Sequence, residues 1–133
     1  MVINFKDYQK WMRKKAQIHN SGLFRHVNEG DVVWVAVGEN VGVEIDGKSD
    51  KYSRPVVVLK KHGAKCFSGI PLTTRTHHIG KQYMHFVFQN REEVAVLSQV
   101  KLFDVSRVYS RKGELSKKDY TTIKERFLEY FSE

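Results

Sequence analysis

The sequence contains a single cysteine, only two prolines and no long apolar run. One cysteine, Cys66, excludes a disulfide within the chain and is typical of a reducing compartment. Few prolines and glycines, and no repeat or low-complexity tract, leave no room for a flexible linker. No stretch approaches the roughly eighteen apolar residues of a membrane helix, and residues 1–7 lack the apolar centre of a secretory signal. We therefore expect a cytoplasmic protein without membrane contact.

The motifs of most cofactor- and metal-dependent enzymes are also missing. No P-loop and no glycine-rich nucleotide fingerprint follows a predicted strand. No cysteine pair and no His-x-x-x-His pattern is present to hold zinc. His77 and His78 are adjacent, so in an extended segment they point to opposite faces and make a poor metal pair. We expect no cofactor and no metal site, and a hydrolase built on this chain has to work without one.

The size of the chain indicates how many domains it forms, and its charge indicates which partners it favours. Its 133 residues, 41% of them apolar, predict one folded domain over residues 1–133. Its formal net charge of +8 favours polyanionic partners, either nucleic acid or an acidic protein segment. The basic residues are spread along the chain rather than collected in a tail. A binding surface therefore has to be assembled by the fold.

The pattern of apolar residues predicts two helices that flank a set of short strands. Residues 5–19 have helical spacing, with Asn4 as N-cap and Asp7 in the first turn, and they define an extra N-terminal segment over residues 1–22. Residues 117–130 form the second helix, capped by Ser116 with Asp119 in its first turn. Between them the predicted strands are 31–37, 55–59, 65–72, 83–88, 94–98 and 99–103. This order predicts an α+β fold built on a small barrel or sandwich.

Polar side chains at two strand ends are the first candidates for chemistry. Pro55 fixes the backbone directly after Arg54 and pushes that residue toward an extended conformation at the mouth of a valine-rich strand. Thr73 and Thr74 follow Pro71 where another strand ends. A guanidinium offers a planar fork of donors and a hydroxyl offers a short, orientable hydrogen bond, and both suit a phosphate oxyanion.

Five segments in order carry a resemblance to a known family: Glu-Gly-Asp-Val-Val-Trp-Val at 29–35, Gly-Val-Glu at 42–44, Arg-Pro-Val-Val-Val at 54–58, Gly-Ile-Pro-Leu-Thr-Thr at 69–74, and Leu-Ser-Gln-Val-Lys-Leu at 97–102. Over residues 28–130 the chain resembles the MazF/PemK toxins of type II toxin–antitoxin systems. The resemblance implies a strongly bent SH3-like barrel of the CcdB/MazF type with a C-terminal helix. It also implies a homodimer and a metal-independent, sequence-selective endoribonuclease that cleaves single-stranded mRNA by attack of the 2′-hydroxyl.

The resemblance extends to partners and to individual residues. It implies inhibition by an acidic antitoxin protein, and operator DNA as a partner of the toxin–antitoxin complex. Thr73 matches the functional threonine of the family, and Glu44 matches the glutamate of its Gly-x-Glu element. Arg54 suits stabilisation of phosphoryl charge, Thr73 suits a hydrogen bond to the scissile phosphate, and Glu44 is the nearest candidate for a general base. Its alternative is a solvated loop carboxylate that pairs with a neighbouring lysine.

Other polar residues near these positions are candidates for binding the substrate. Thr74 is the neighbour of Thr73 and faces the opposite way unless the strand bulges there. The remaining candidates lie in the two polar loops that flank the predicted site and can together form one phosphate track: Lys48, Lys51, Arg75, His77, His78 and Lys81. The alternative for each of them is a solvated basic loop. Gln99 lies in the closing segment of the resemblance and is expected to be structural.

Two other functions stay open at this stage. Relatives of the CcdB type use the same barrel to inhibit a topoisomerase by protein–protein contact, without catalysis. A degenerate member of the family, retained only to bind nucleic acid, is the second alternative. The role of the N-terminal helix also stays open, since it can extend a dimer, contact RNA through its basic face or pack on the barrel.

Overall fold

The computed structural model describes residues 6–133, in which two helices accompany an antiparallel sheet of seven strands. The α+β class predicted from the sequence is confirmed. The elements in chain order are α1 (Tyr8–Ser21), β1 (Asp31–Ala36), β2 (Ser53–Lys61), β3 (Cys66–Thr73), β4 (Tyr83–Phe88), β5 (Arg91–Val96), β6 (Lys101–Asp104), β7 (Val108–Glu114) and α2 (Lys117–Phe131).

The sheet is bent but it does not close into a complete barrel. Its strand order is β4-β5-β3-β2-β1-β7, and β6 pairs with β3 outside this path. On one edge β3 pairs with β2. On its other edge the first half of β3 pairs with β6, while its last two residues, Leu72 and Thr73, pair with Ala95 and Val94 of β5. The change of partner along β3 therefore turns the end of the strand away from β6 and toward β5.

The continuous valine runs of β1 and β2 are explained by burial on both faces of the sheet. Val57 and Leu59 contribute to the cluster that also contains Ile123 of α2. Val56 and Val58 point the other way and pack with Phe67 and Phe103 in a second cluster. Apolar side chains on both faces are characteristic of strands inside a fold rather than at its surface. The pairing of β2 with β1 places Arg54, near the start of β2, opposite Val35.

Helix α2 confirms its prediction from the sequence. It runs over Lys117–Phe131, and the Ser116 hydroxyl accepts a hydrogen bond from the Asp119 amide at 3.1 Å. This is the N-cap geometry expected of a serine placed directly before a helix. Ile123 is fully buried against the sheet, so the helix covers one face of the core.

Helix α1 begins later than predicted. It runs over Tyr8–Ser21, and Asp7 rather than a residue before it is the N-cap, since its carboxylate accepts from the Lys10 amide at 2.9 Å. The predicted cap, Asn4, lies outside the described residues. The helix starts at Tyr8 because the Asp7 carboxylate, directly before it, accepts a hydrogen bond from a backbone amide of its first turn. At the other end Gly22 takes a left-handed conformation with φ 64°.

Helix α1 packs on the sheet and on the loop between β1 and β2. Of the contacts considered for this helix, packing on the barrel is the one made within the chain. Trp11 is buried, and its ring centroid lies 5.1 Å from that of Tyr52. Gly38 has φ +88°, and a Cβ at that position would overlap the Trp11 ring. Lys6 and Lys10 form ion pairs with Asp46 and Asp50 of the loop at 2.6 and 3.2 Å. The helix therefore holds this loop against the sheet.

One strand predicted from the sequence has the wrong bounds, and another strand of the sheet was not predicted. The strand predicted at 94–98 begins at Arg91 and ends at Val96, and residues 97–99 form a 3₁₀ turn before β6. Strand β7 was not predicted at all. It pairs with β1 at the end of the sheet and is largely exposed after Val108. An end strand has one free edge, so polar residues such as Ser110 and Lys112 are tolerated there and the alternating apolar signal is lost.

We expect Trp11→Ala to lower the free energy of unfolding by about 3–5 kcal/mol, because it removes a buried indole and leaves a cavity. The measurement is urea denaturation followed by circular dichroism. The control is Met12→Ala on the same helix, whose side chain is 58% exposed and whose loss leaves stability nearly unchanged. Equal destabilisation by the two variants would contradict the role assigned to Trp11.

Candidate functional site

Arg54 is held between the β1–β2 loop and the end of β3. Its Nε donates to the Asp46 carbonyl at 2.7 Å, and its Nη1 donates to the Leu72 carbonyl at 3.4 Å. Burial lowers the pKa of Arg54, the positive charge of Arg75 adds to this effect, and Asp46 opposes it. A guanidinium nevertheless stays protonated near neutral pH. The side chain is therefore an oriented, partly desolvated cation with donors left over for a ligand.

Thr73 is the last residue of β3 and is 7% exposed. Its Oγ1 accepts a hydrogen bond from the Arg75 amide at 3.2 Å, which leaves its own proton free to be donated. The Leu72 carbonyl that receives Arg54 immediately precedes Thr73 in the chain. Arg54 and Thr73 consequently line the same two cavities. The structure brings together the arginine and the threonine that the sequence singled out.

The two cavities form one groove whose halves share Lys48, Arg54 and Thr73. We call the first the aromatic pocket, because Trp34 and Tyr109 line it, and its volume is about 530 Å³. Its other lining residues are Ser49, Lys51, Ser53, Pro55, Leu72, Thr74, Arg91, Glu93, Ser110 and Lys112. We call the second the loop pocket, of about 490 Å³. Its lining, besides the shared three, comprises Val43, Ile45, Asp46, Gly47, Arg75, His78, Tyr83, Val96 and Gln99.

The groove is strongly cationic. Among the described residues that line the aromatic pocket, five are basic and one, Glu93, is acidic; the basic ones are Lys48, Lys51, Arg54, Arg91 and Lys112. Arg75 adds a further cation in the loop pocket. Charges of one sign in a concave, partly desolvated site reinforce each other and attract polyanions. The dispersed basic residues of the sequence are gathered here by the fold.

Several of the predicted substrate-binding residues lie in this groove. Lys48 lines both pockets, Lys51 and Thr74 line the aromatic pocket, and Arg75 lines the loop pocket. The Lys51 ammonium also lies over the Tyr109 ring, 5.6 Å from its centroid. These four side chains surround Arg54 and Thr73 as the sequence suggested, and their role in binding stays a prediction.

The structure does not bring three predicted residues to the groove: Glu44, His77 and Lys81. Glu44 is exposed and lines neither pocket; it lines an adjoining cavity that shares Val43, Ile45, Tyr83 and Gln99 with the loop pocket. Its carboxylate accepts from the Val41 amide at 2.9 Å and closes its own turn. Lys81 pairs instead with Glu133, which follows the C-cap of α2, at 2.9 Å. His77 is exposed, and its ring centroid lies 4.5 Å from that of His78. A local turn engages the Glu44 carboxylate and a partner just after α2 engages Lys81, and a linear pattern reveals neither contact.

His78 is the histidine that lines the loop pocket together with Arg54 and Thr73. Its ring stacks on Tyr83 at 4.6 Å between centroids. Burial lowers the pKa of His78, and the neighbouring His77, Arg75 and His85 lower it further. The imidazole is therefore favoured in its neutral form, in which one ring nitrogen can accept a proton.

Gln99 holds the loop pocket in shape. Its Oε1 accepts from the Ile45 amide at 2.6 Å, and its Nε2 donates to the Val43 carbonyl at 3.0 Å. Both bonds hold the β1–β2 loop, in addition to its ion pairs with Lys6 and Lys10. The structural role expected for this residue is observed, and in addition it lines the pocket beside Arg54.

The residues of the aromatic pocket that the sequence analysis did not name as candidates include Trp34, Arg91, Glu93, Tyr109 and Lys112. Tyr109 and Lys112 belong to β7, the strand that was not predicted. Trp34 was regarded only as part of a strand. Glu93 had one usable signal: strand alternation from Ala95 places it on the inward face of β5, where a carboxylate is unexpected.

The described residues were also compared with the requirements of a metal site and of a membrane-spanning helix. Within residues 6–133 no three His, Cys, Asp or Glu side chains are grouped as metal ligands. Neither described helix is long and apolar enough to cross a membrane.

Comparison with known proteins connects this groove to a family. No curated protein matches the sequence. The fold is similar to that of the crystal structure of MazF (Form-I) from Deinococcus radiodurans, with a TM-score of 0.67 and 16% identity over 82% of this chain and 99% of that one. Residues 28–131 match the family described as PemK-like, MazF-like toxin of type II toxin–antitoxin system. The chain belongs to this family of toxins.

Proposed function

We propose that the protein is a metal-independent endoribonuclease that cleaves single-stranded mRNA. The observation that carries the proposal is that Arg54 and Thr73 both line the two pockets of one cationic groove. RNA supplies its own nucleophile, the 2′-hydroxyl, so the enzyme has to align the reacting atoms, stabilise charge and move protons. Each of these tasks has a candidate residue in the groove.

In the proposed reaction the 2′-oxygen attacks phosphorus and the bond to the 5′-oxygen breaks. This leaves a 2′,3′-cyclic phosphate on one fragment and, once the leaving 5′-oxygen has taken a proton from water, a 5′-hydroxyl on the other; the proton taken from the 2′-hydroxyl returns to solvent. Arg54 stabilises the charge that builds on the phosphoryl oxygens, with the donors that its two carbonyl contacts leave free. Thr73 donates its hydroxyl proton to the same phosphate, since its oxygen already accepts from the Arg75 amide.

We assign proton removal from the 2′-hydroxyl to His78 rather than to Glu44. His78 lines the loop pocket with Arg54 and Thr73, whereas the Glu44 carboxylate closes its own turn beside another cavity. The lowered pKa of His78 favours the neutral form that a general base requires. The strand of RNA follows the cations on both sides of this centre, from Lys51 in the aromatic pocket to Arg75 in the loop pocket.

A type II toxin has an antitoxin partner. We propose that this antitoxin uses an acidic segment to cover the same groove, because the five cations of the aromatic pocket favour such a segment by charge. We further propose that the toxin is a cytoplasmic homodimer and that operator DNA is bound by its complex with the antitoxin. These proposals rest on family membership and on the charge of the groove.

Purified protein is expected to cleave single-stranded RNA in the presence of EDTA, and Arg54→Ala or Thr73→Val should lower the rate about 100-fold or more, because each removes a donor to the developing charge. The measurement is gel electrophoresis of end-labelled RNA with mapping of the fragment ends. Arg13→Ala and Thr121→Val are matched controls on exposed helix positions and should leave the rate unchanged.

The same preparations distinguish the alternatives. Topoisomerase inhibition without RNA cleavage would replace the proposal with a CcdB-like inhibitor. Salt-dependent binding of nucleic acid without turnover would identify a binding module. Cleavage that Arg54→Ala leaves intact, with folding verified by circular dichroism, would remove the groove from the mechanism.

His78→Ala should lower the rate and abolish its pH dependence on the acidic side. Because the pKa of His78 is lowered from its ordinary value of 6.5, we expect a plateau at neutral pH and a fall in kcat/KM only below that value, as the base becomes protonated. The measurement is a pH–rate profile from pH 5 to 8. The control is His77→Ala, which should keep the rate at neutral pH and retain the acidic limb, moved only to slightly higher pH because His77 contributes to the lowered pKa of His78. An unchanged acidic limb in His78→Ala would assign proton removal to another group.

A further inference from the structure

The aromatic pocket contains a buried carboxylate that the proposed cleavage reaction does not use. Glu93 is 1% exposed, and among the described residues neither of its carboxylate oxygens has a hydrogen-bond partner. Its nearest counter-charge is the Lys112 ammonium at 3.7 Å, which is too long for a hydrogen bond. Buried polar atoms without partners cost free energy and are uncommon in native proteins. Two acceptors at the edge of a cavity therefore leave room for donors from a ligand.

The surroundings of Glu93 indicate what kind of ligand fits. The Lys112 ammonium lies over the Trp34 ring, 4.9 Å from its centroid, as well as beside the Glu93 carboxylate. A group of N–H donors thus already occupies the space between an aromatic face and two acceptors. The residue that supplies it is Lys112 on β7, whose side chain is 18% exposed, and the four-carbon stem of a lysine has the rotatable bonds needed to move the ammonium aside for a ligand. The ligand that best replaces it is flat, stacks on Trp34 and presents N–H donors along one edge.

We propose that the aromatic pocket binds one nucleobase of the RNA, stacked on Trp34, and that Glu93 reads it as guanine. The Watson–Crick edge of guanine presents two adjacent donors, N1–H and the N2 amino group, which match the two carboxylate oxygens. Adenine, cytosine and uracil each place an acceptor beside a single donor, so one carboxylate oxygen would face an acceptor. Lys112, released from the ring, is then available to the neighbouring phosphate.

The position of the base follows from the shared lining of the groove. Arg54 and Thr73 belong to both pockets, so a base in the aromatic pocket is a near neighbour of a phosphate held by these two residues. The placement of the base beside the scissile phosphate rests on the proposed ribonuclease function, whereas recognition of guanine does not. Glu93 is therefore a specificity-determining residue, and binding can test it separately from cleavage.

The test uses uncleavable 2′-O-methyl RNA hexamers of uridine that carry one guanosine or one inosine, which lacks the N2 amino group. Binding to the full-length protein is measured by fluorescence anisotropy. The wild type should bind the guanosine oligonucleotide about tenfold more tightly than the inosine one, as expected for loss of half of a bidentate contact. Glu93→Gln should bind both about equally, because its amide replaces one acceptor with a donor.

The matched control is Glu92→Gln, which makes the same chemical change on the same strand at an exposed position and should keep the tenfold preference. Trp34→Phe has a smaller stacking surface, so it should weaken the binding of both oligonucleotides and preserve the ratio of their affinities. Thermal unfolding verifies that each variant is folded. Equal binding of guanosine and inosine by the wild type, or an unchanged preference in folded Glu93→Gln, would overturn the proposal.

Cleavage is measured on the same proteins with RNA of mixed sequence. Guanine preference in binding without any cleavage would refute the ribonuclease and leave the base pocket standing. Cleavage with the same sequence preference in the wild type and in Glu93→Gln would support the ribonuclease and refute recognition of the base by Glu93.

Discussion

The geometry of the site depends on one side chain that bonds to two separate backbone segments. Arg54 donates to the Asp46 carbonyl of the β1–β2 loop and to the Leu72 carbonyl at the end of β3. These bonds fix the guanidinium beside Thr73 and also tie the loop to the sheet. Hydrogen bonds to a charged donor are among the stronger ones in proteins, and partial burial strengthens them further. This connection keeps Arg54 at the place where the two pockets share their lining.

The loop that Arg54 contacts is held from two other sides as well. Lys6, just before α1, pairs with the Asp46 carboxylate at 2.6 Å, and Gln99 bonds to the backbone of Val43 and Ile45. A charged, glycine-containing loop of this length would otherwise be mobile. Contacts from three directions give it a defined shape in the free protein. Such preorganisation is what an electrostatic site needs, since its dipoles must be in place before charge develops.

The parts of the molecule that the sequence predicted are those determined by local chemistry. Serine before α2 predicted its cap, valine runs predicted β1 and β2, and Pro55 predicted the extended backbone that aims Arg54. The parts that were missed depend on long-range pairing. Strand β7 carries polar residues at a free edge, so no local signal marked it, and Tyr109 and Lys112 were missed with it. Glu44 matched a family motif, yet its carboxylate bonds to its own turn, a choice that spacing does not encode.

The balance of charge in the groove suggests how affinity and selectivity can be separated. Cations that contact phosphates position a nucleic acid but carry no information about its sequence. A groove lined only by lysine and arginine would therefore bind any polyanion, an acidic protein segment included. Glu93 reduces the net positive charge of the aromatic pocket and costs desolvation free energy, which is why burial raises its pKa. An antitoxin segment rich in carboxylates gains nothing from this side chain, whereas a base with N–H donors does. In the function proposed above, the buried carboxylate is the feature that distinguishes the groove from a general anion site.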